Sequence, residues 1–341
     1  MKNKKLDKKK FIRIFMTWLV TFVMTFVFTA DIVVNALCNK YVDRYTVIEE
    51  SDYNGVCDDR IHFLNTANSD CIMLESNGHF ALIDSGEGNR NPRRKTEYKG
   101  YEDEVLAYIK EYAKASDGTA HLDFILATHY HYDHAGNFTA IINDADISIA
   151  KAYCKPYAPE IATDMEREPW GNEQTYYEII AALNNHGIPV ISDLPDSEFA
   201  FGDFTVKFIN TKTPAELAGK GENSNSVGVL IKKSGKTVFL AADITDDSGL
   251  EKIYADEIGD VDVLKIGHHG YFGSSSAAFL RKLKPEIAVV TNYLGKIYPN
   301  VKWNLTVIAK APIFSTEHRD GFIISITDSG EFLFTQHTMV Q

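Results

Sequence analysis

The chain opens with a basic stretch followed by one long hydrophobic segment. Residues 14–30 carry no charged side chain, and apolar character continues to Leu37 despite Asp31 and Asn35. A membrane span needs about 20 mostly apolar residues, so residues 1–38 predict a cytoplasmic basic tail and a membrane anchor. The positive flank stays in the cytoplasm, which places the rest of the chain outside the cell membrane. A cleaved signal peptide is the alternative, and it also exports the body as a secreted protein.

After a polar linker at residues 39–58, short apolar runs alternate with segments of helical period. Asn77-Gly78 predicts a hairpin turn, and Gly187 predicts the end of a helix. Two β-rich halves, each flanked by helices, predict an α/β fold built as a four-layer αβ/βα sandwich over residues 59–337. The predicted strands are residues 60–65, 71–76, 79–84, 122–127, 146–150, 188–191, 204–210, 226–232, 237–243, 261–266, 287–291, 322–327 and 331–335; the predicted helices are residues 101–114, 136–143, 173–186, 248–254, 277–284 and 302–310, and a Pro- and Tyr-rich insert covers residues 153–170.

Charge separates the start of the chain from its body. The net charge is −12, of which residues 1–40 contribute eight Lys/Arg and two Asp/Glu, a local net of +6, so that the remainder carries −18. An acidic body disfavours long-range attraction to nucleic acid, and nucleic acid is therefore not the expected partner. A basic cluster at residues 90–95 is predicted to be a solvated loop, with contact to an anionic substrate as the alternative.

The four cysteines are Cys38, Cys57, Cys71 and Cys154, and none belongs to a Cys-x-x-Cys pair. This spacing argues against a structural zinc knuckle. Cys57 and Cys71 either pair in an oxidising compartment or remain buried thiols, and spacing alone does not separate these alternatives.

Candidate chemistry is concentrated directly after the predicted strand at residues 122–127. Three imidazoles and one carboxylate follow within six residues: His129, His131, Asp133 and His134. In an extended loop the first three share a face and His134 points elsewhere. One metal ion is predicted to bind His129 and His131, and a second to bind Asp133 and His134. Imidazole combined with carboxylate suits zinc, with iron or manganese as alternatives.

Further metal-binding side chains stand at the ends of other predicted strands. Asp84 is expected to orient a ligand histidine from behind. Asp243 ends an apolar strand, and His268 and His269 end another. In an αβ/βα sandwich these strand ends meet at one edge, so we expect these side chains to converge on the histidine loop.

The order Asp84, the histidine loop, Asp243 and His268 resembles the metallo-β-lactamase superfamily. Many members have a further metal histidine ahead of the strand that leads to the bridging aspartate, whereas residues 221–226 here contain none. The resemblance implies a first metal on His129, His131 and Asp243 with one open position. The predicted metal residues are therefore His129, His131, Asp133, His134, Asp243 and His268, with Asp243 bridging the two ions and with Asp84 and Asn225 supporting the ligands.

Two branches of the superfamily resemble this chain in more detail. Residues 223–226 and 265–270 are similar to the competence-protein (ComEC) type, and residues 75–86 and 124–137 are similar to phosphorylcholine esterase catalytic domains. The latter resemblance implies an extracellular two-zinc phosphodiesterase in which Asp133, Asp243 and His269 are catalytic, His269 through contact with phosphate or the leaving group. A nuclease acting on single-stranded DNA and a non-catalytic surface protein are the alternatives. If the substrate carries choline, the candidate cage residues are Tyr130, Tyr132, Trp170, Tyr176, Tyr271 and Phe272.

Overall fold

The computed structural model describes residues 8–42, 44, 47–93, 98–167, 170–212 and 218–336. Its first element, α1 (Lys8–Asn39), is long and apolar enough to cross a membrane by length and composition, and its hydrophobic side chains are largely exposed. Only near its end are side chains buried against the remaining chain, at Val34 and Cys38. A membrane anchor and a signal segment both have these properties.

Two large sheets and one two-stranded sheet contain the strands of the described residues. The strands follow the predicted apolar runs because alternate or continuous burial of Val, Ile, Leu and Phe stabilises an extended segment on a sheet. Their bounds are β1 (Asp59–Phe63), β2 (Cys71–Ser76), β3 (His79–Ser85), β4 (Ala120–Leu122), β5 (Phe124–Ala127), β6 (Ile147–Ile149), β7 (Ala152–Cys154), β8 (Val190–Ile191), β9 (Phe199–Phe201), β10 (Phe204–Ile209), β11 (Gly228–Lys233), β12 (Lys236–Leu240), β13 (Val263–Lys265), β14 (Ile287–Val290), β15 (Ile313–Ser315), β16 (Phe322–Ile326) and β17 (Phe332–Gln336).

The first large sheet has the order β17-β16-β1-β2-β3-β5-β7-β8, and the second has the order β15-β14-β13-β12-β11-β10-β9. In each sheet, antiparallel hairpins occupy one part and parallel strands the other. The parallel strands β3, β5 and β7, and likewise β12, β13 and β14, therefore end at the same edge of their sheet. Loops that leave this edge carry the candidate metal-binding side chains.

Three hydrophobic clusters define four layers. One cluster fills the space between the two sheets, for example Phe124 against Phe201 and Phe208. A second lies between the first sheet and its helices, and a third between the second sheet and its helices. The predicted α/β sandwich is confirmed. Its helices are α2 (Glu102–Tyr112), α3 (Tyr132–Ala135), α4 (Phe138–Asn143), α5 (Asp164–Arg167), α6 (Asn172–Asn185), α7 (Leu250–Ile258), α8 (Ala277–Leu283), α9 (Pro299–Trp303) and α10 (Thr316–Arg319), with a π-helical segment at Asn304–Ala309.

Several predicted elements differ from the structure in detail. The strand predicted at residues 146–150 exists as β6, but it pairs with β4 in the separate two-stranded sheet. The insert predicted at residues 153–170 begins inside β7, which joins the first sheet beside β5. Strands β9 and β15 were not predicted. Each is only three residues long, too short for a periodic pattern to be recognisable.

The described part of residues 39–58 lies against the domain. Val42 forms a bridge with Ile313 on edge strand β15, and Glu49 forms one with Phe334 on edge strand β17. Pairing of this kind covers the unpaired backbone groups of an edge strand. The predicted end of the domain at residue 337 lies outside the described residues. All four cysteines are buried free thiols in the structure, so Cys57 and Cys71 are not paired.

Candidate metal centre

The histidine loop is held by close backbone contacts beside the end of β3. Contrary to the extended loop expected from the sequence, residues Tyr132–Ala135 form one helical turn, α3, that begins directly after His131. The Gly136 amide donates to the Gly86 carbonyl at 3.1 Å. A Cβ at Gly136 would lie 2.4 Å from the Gly88 nitrogen, so only glycine allows this approach. The helical turn places the His134 ring next to the His129 ring, with the ring centroids 4.1 Å apart.

The first group of converging side chains consists of His129, His131 and Asp243. His129 Nε2 lies 3.2 Å from His131 Nδ1 and 3.7 Å from Asp243 Oδ2. Two ligand atoms bound to one zinc ion at 2.0–2.2 Å with tetrahedral angles stand about 3.3–3.6 Å apart. The spacing of these three side chains therefore fits one metal ion.

The second group gathers around the other oxygen of the same carboxylate. His134 Nε2 lies 3.1 Å from Asp243 Oδ1, and His269 Nε2 lies 3.5 Å from that oxygen and 3.0 Å from His134 Nε2. Asp133 Oδ2 lies 3.7 Å from His269 Nε2. The two oxygens of Asp243 thus face two different sets of ligands, the arrangement of a bridging carboxylate.

The adjacent histidines His268 and His269 take different places. The sequence assigns His268 to the second metal beside His134, but His269 occupies that position. His268 Nε2 lies 3.9 Å from Asp243 Oδ2, on the side of the first group, and it contacts the Asn223 side-chain amide at 3.1 Å. Both histidines have positive φ, near 50°. Two successive left-handed residues turn the chain sharply, so their side chains face the two oxygens of Asp243.

Carboxylates fix the orientation of both histidines in the second group. Asp84 Oδ2 accepts from His134 Nδ1 at 2.7 Å, and Thr128 donates to Asp84 from its amide and its hydroxyl. Asp70 Oδ1 lies 3.3 Å from His269 Nδ1. A carboxylate on Nδ1 holds the ring and leaves the Nε2 lone pair free for a metal ion. Asp84 was anticipated from the sequence, whereas Asp70 was not.

The outer contacts of the first group come from Ser226 and Glu166, and the predicted Asn225 lies next to Ser226. The Asn225 amide donates to Glu222, while its neighbour Ser226 places Oγ 3.3 Å from His129 Nδ1. Glu166 accepts from His131 Nε2 at 3.0 Å, which leaves Nδ1 for the metal. Glu166 comes from the irregular insert, where no periodic pattern marks it.

A buried ion pair supports the second group from below. Lys265 Nζ donates to Asp70 Oδ2, and both side chains are inaccessible to solvent. Histidine and lysine charges outweigh the effect of burial and hold the pKa of Asp70 far below its usual range. Lys265 is the only charge among residues 263–266, which are fully buried, and a buried charge requires a partner. This was the sequence signal for a partner such as Asp70.

Two carboxyl groups at the centre have pKa values shifted in opposite directions. Burial alone raises the pKa of Asp243, but His134, His269 and His268 outweigh burial and hold it well below the usual value. Burial and the neighbouring charge of Asp133 raise the pKa of Glu87 to about 7, against the opposing effect of Arg93.

The residue types at the centre and its buried carboxylate oxygens without hydrogen bonds both fit metal ions. Among the described residues, Asp133 Oδ1 and Asp243 Oδ1 are buried and accept no hydrogen bond. Buried carboxylate oxygens of this kind require a compensating partner. Imidazoles with two carboxylates around two adjacent points are suited to zinc, iron or manganese.

The aromatic residues predicted for a choline cage differ in burial and in the side chains they contact. Tyr130 is fully buried and donates to the Lys155 carbonyl, with its ring packed against Tyr176. The Trp170 ring lies 4.9 Å from the His131 ring. Tyr271 lies 5.5 Å from the His268 ring, and the neighbouring Phe272 is exposed. Within the basic cluster, Arg93 NH1 lies 3.9 Å from Asp133 Oδ1, while residues 94 and 95 lie outside the described part of the chain.

Comparison with known proteins gives one sequence relative and several structural ones. The chain is 30% identical over 80 residues to Recombination protein 2 of Haemophilus influenzae, a match that covers 24% of this chain and only a tenth of that protein's length. Similar solved structures are YhfI of Bacillus subtilis, a metallo-β-lactamase-fold protein (TM-score 0.45, 13% identity, 80% of this chain and 98% of that one), and zinc-bound PqqB of Methylobacterium extorquens (TM-score 0.40, 12% identity, 77% and 86%).

A third similar structure is CmlA, a diiron β-hydroxylase of Streptomyces venezuelae (TM-score 0.41, 12% identity, 73% of this chain and 48% of that one). At these scores the structural likenesses carry no conclusion about chemistry. The family model of the metallo-β-lactamase superfamily matches residues 64–291, more than half of the chain, and this range contains the complete set of converging side chains. The chain therefore belongs to the metallo-β-lactamase superfamily.

Proposed function

We propose that the protein is a dinuclear metal-dependent hydrolase that cleaves phosphodiesters of the phosphorylcholine type or related ones on the outer side of the membrane. The superfamily consists generally of metal-dependent hydrolases. One observation carries the dinuclear assignment: the two oxygens of Asp243 face separate groups of imidazoles, 3.1 Å from His134 and 3.7 Å from His129. A carboxylate so placed would contribute one oxygen to each of two metal sites.

One ion would be held by His129, His131 and Asp243, with His268 beside this group, and the other by Asp133, His134, Asp243 and His269. Zinc is the proposed metal, with iron or manganese as alternatives. When bound, the ions supply Lewis acidity that activates water and neutralises charge on phosphate oxygens. With this assignment His269 acts as a metal ligand. The sequence had suggested instead that it contacts phosphate or the leaving group.

Residues of the chain contribute orientation and charge. Asp84 and Asp70 fix the tautomers of His134 and His269, so the two Nε2 atoms remain aimed at Asp243. Arg93, 3.9 Å from Asp133, adds a positive charge beside the centre that favours an anionic substrate. The His268 side chain is 27% exposed, so substrate approach is assigned to its side of the centre.

The proposed location follows from α1 and the charge beside it. The residues before Ile14 are strongly basic, which keeps them in the cytoplasm and places the acidic body outside. Members of the phosphorylcholine esterase type are extracellular, in agreement with this orientation.

A second candidate function is cleavage of single-stranded DNA. The match to Recombination protein 2 favours it, although that match covers only 80 residues. The net negative charge of the body opposes it, because binding to the phosphate backbone depends on positive charge. DNA cleavage that falls steeply with added salt would support this alternative.

The test combines metal analysis with a substrate panel. The purified full chain should contain about two equivalents of metal and hydrolyse a chromogenic phosphodiester in preference to a phosphomonoester or single-stranded DNA. Asp243→Ala should lose both metals and all activity, and Asp133→Ala should lose activity and the second metal. Asp203→Ala, at an exposed site, is the matched control. Turnover like that of the wild type in either site variant would refute the assignment, and metal content near zero in the wild type would indicate a non-catalytic surface protein.

A further inference from the structure

The polar residues that interrupt the hydrophobic segment mark where α1 meets the domain. Asn35 donates to Asp31 Oδ2 at 3.0 Å, and Lys302 Nζ donates to Asn35 Oδ1 at 2.5 Å. Asp31 and Asn35 are four residues apart and therefore share one face of the helix. That face packs on α9, which carries Lys302.

The chain that follows α1 contacts the second sheet and its helices at several described residues. Cys38 is buried in the same cluster as Val301 and Leu305, and the Ile313 amide donates to the Tyr41 carbonyl at 2.8 Å. The uncharged residues 14–30 span about 26 Å at 1.5 Å per residue, comparable to the roughly 30 Å hydrocarbon core of a bilayer. A bilayer that covers these residues therefore ends within a few helical turns of α9.

Exposed aromatic side chains lie beside this junction. Trp303 ends α9 and Tyr298 directly precedes it, and each is 44% exposed. Phe272 is 64% exposed, and its ring lies 6.1 Å from that of Tyr298. We call these three residues the aromatic row.

The aromatic row borders the metal centre. The Tyr298 ring lies 6.1 Å from Tyr271, whose ring lies 5.5 Å from that of His268. The helix that receives α1 thus also positions aromatic side chains next to the exposed histidine of the centre. Trp and Tyr prefer the interface between lipid and water, where an apolar ring and a polar edge are both accommodated.

We propose that the aromatic row rests on the bilayer surface, so that the metal centre takes phosphodiesters carried by membrane molecules. The proposal rests on the proposed phosphodiesterase function and on an α1 that remains attached. A lipid surface is the occupant because α1, packed on the same helix α9, leaves its apolar side chains exposed and requires lipid around them. The packed junction holds the domain close to that lipid.

Contact with lipid is tested without reference to activity. The full chain is reconstituted into phosphatidylcholine vesicles with or without lipids brominated near the headgroup end of the acyl chains. The emission of Trp303 is isolated as the difference between the wild type and Trp303→Phe, because Trp18 and Trp170 are present in both. We expect brominated lipid to quench at least half of this difference. No quenching would overturn the docking. A different result would also overturn the docking: Trp303 is protected from aqueous acrylamide but not quenched by lipid, and the protection increases with protein concentration. That result would assign the aromatic row to contact with a second copy of the chain.

The consequence for substrate is tested with two phosphodiesters in the same vesicles. One is a soluble chromogenic diester and the other a lipid with a chromogenic phosphodiester headgroup. Trp303→Ala should lower the ratio of lipid to soluble rates at least fivefold. Tyr177→Ala, an exposed aromatic on α6 in the other half of the sandwich, should leave the ratio unchanged. An unchanged ratio in Trp303→Ala would refute the inference. If the wild type hydrolyses neither diester, the proposed function is refuted. In that case the lipid-quenching experiment still tests the docking.

Discussion

Replacement of Asp84 by asparagine tests how the centre is oriented. Asp84 Oδ2 accepts from His134 Nδ1 at 2.7 Å and from the Thr128 hydroxyl at 2.7 Å, while Oδ1 accepts from the Thr128 amide at 2.8 Å. All three contacts require an acceptor, and asparagine supplies only one. If its oxygen faces His134, its amide confronts the Thr128 N–H. If it is flipped, His134 must become an acceptor at Nδ1, and its proton moves to Nε2, where it blocks metal binding.

Loss of a carboxylate that orients a metal-binding histidine costs about 10–100-fold in metal affinity. This corresponds to about 1.4–2.8 kcal/mol. We expect Asp84→Asn to remain folded and to lose affinity within this range, mainly at the site that contains His134. The measurement is competition with a chelating dye, together with the metal content of the purified full chain.

Asp123→Asn provides a matched control. Asp123 makes a similar contact with an imidazole, 2.9 Å from His79, but both side chains are about half exposed and are not part of the centre. This variant should bind metal as the wild type does. A folded Asp84→Asn protein with metal affinity within twofold of the wild type would refute the role given to Asp84.

Two further predictions concern stability, measured as the free energy of unfolding in urea. Lys265→Met should lower it by about 3–5 kcal/mol because Asp70 is left buried without its cation. Lys282→Met, at an exposed pair, should leave it nearly unchanged. A loss for Lys265→Met as small as that for Lys282→Met would contradict the pairing. Burial raises the pKa of Glu251 to about 7, so the folded state holds this proton more tightly than the unfolded state. The free energy of unfolding therefore falls as the pH rises from 4.5 to 7. Glu251→Gln should remove about 3 kcal/mol of that fall, and an equal fall in both proteins would contradict it.

Local sequence patterns determined most elements and the histidine loop. Runs of buried Val, Ile and Phe marked the strands from β1 to β3 and from β10 to β14, because burial on a sheet leaves a direct signature in consecutive residues. Two interpretations failed where that signature is weak. β9 and β15 are too short to show a period, and the helical turn Tyr132–Ala135 lies in a stretch whose polar residues suggested an extended loop.

The sequence alone determined which residue types lie at the strand ends, and hence that imidazoles and carboxylates would meet at one edge of the sandwich. Only the tertiary structure decided that His269 rather than His268 stands beside His134, because two successive residues with positive φ set their directions. It also recruited Asp70 and Glu166, which are 64 residues and 35 residues from the histidines they orient, and no local period encodes such contacts. Ligand type is a property of the residue, whereas ligand placement depends on how distant loops are packed together.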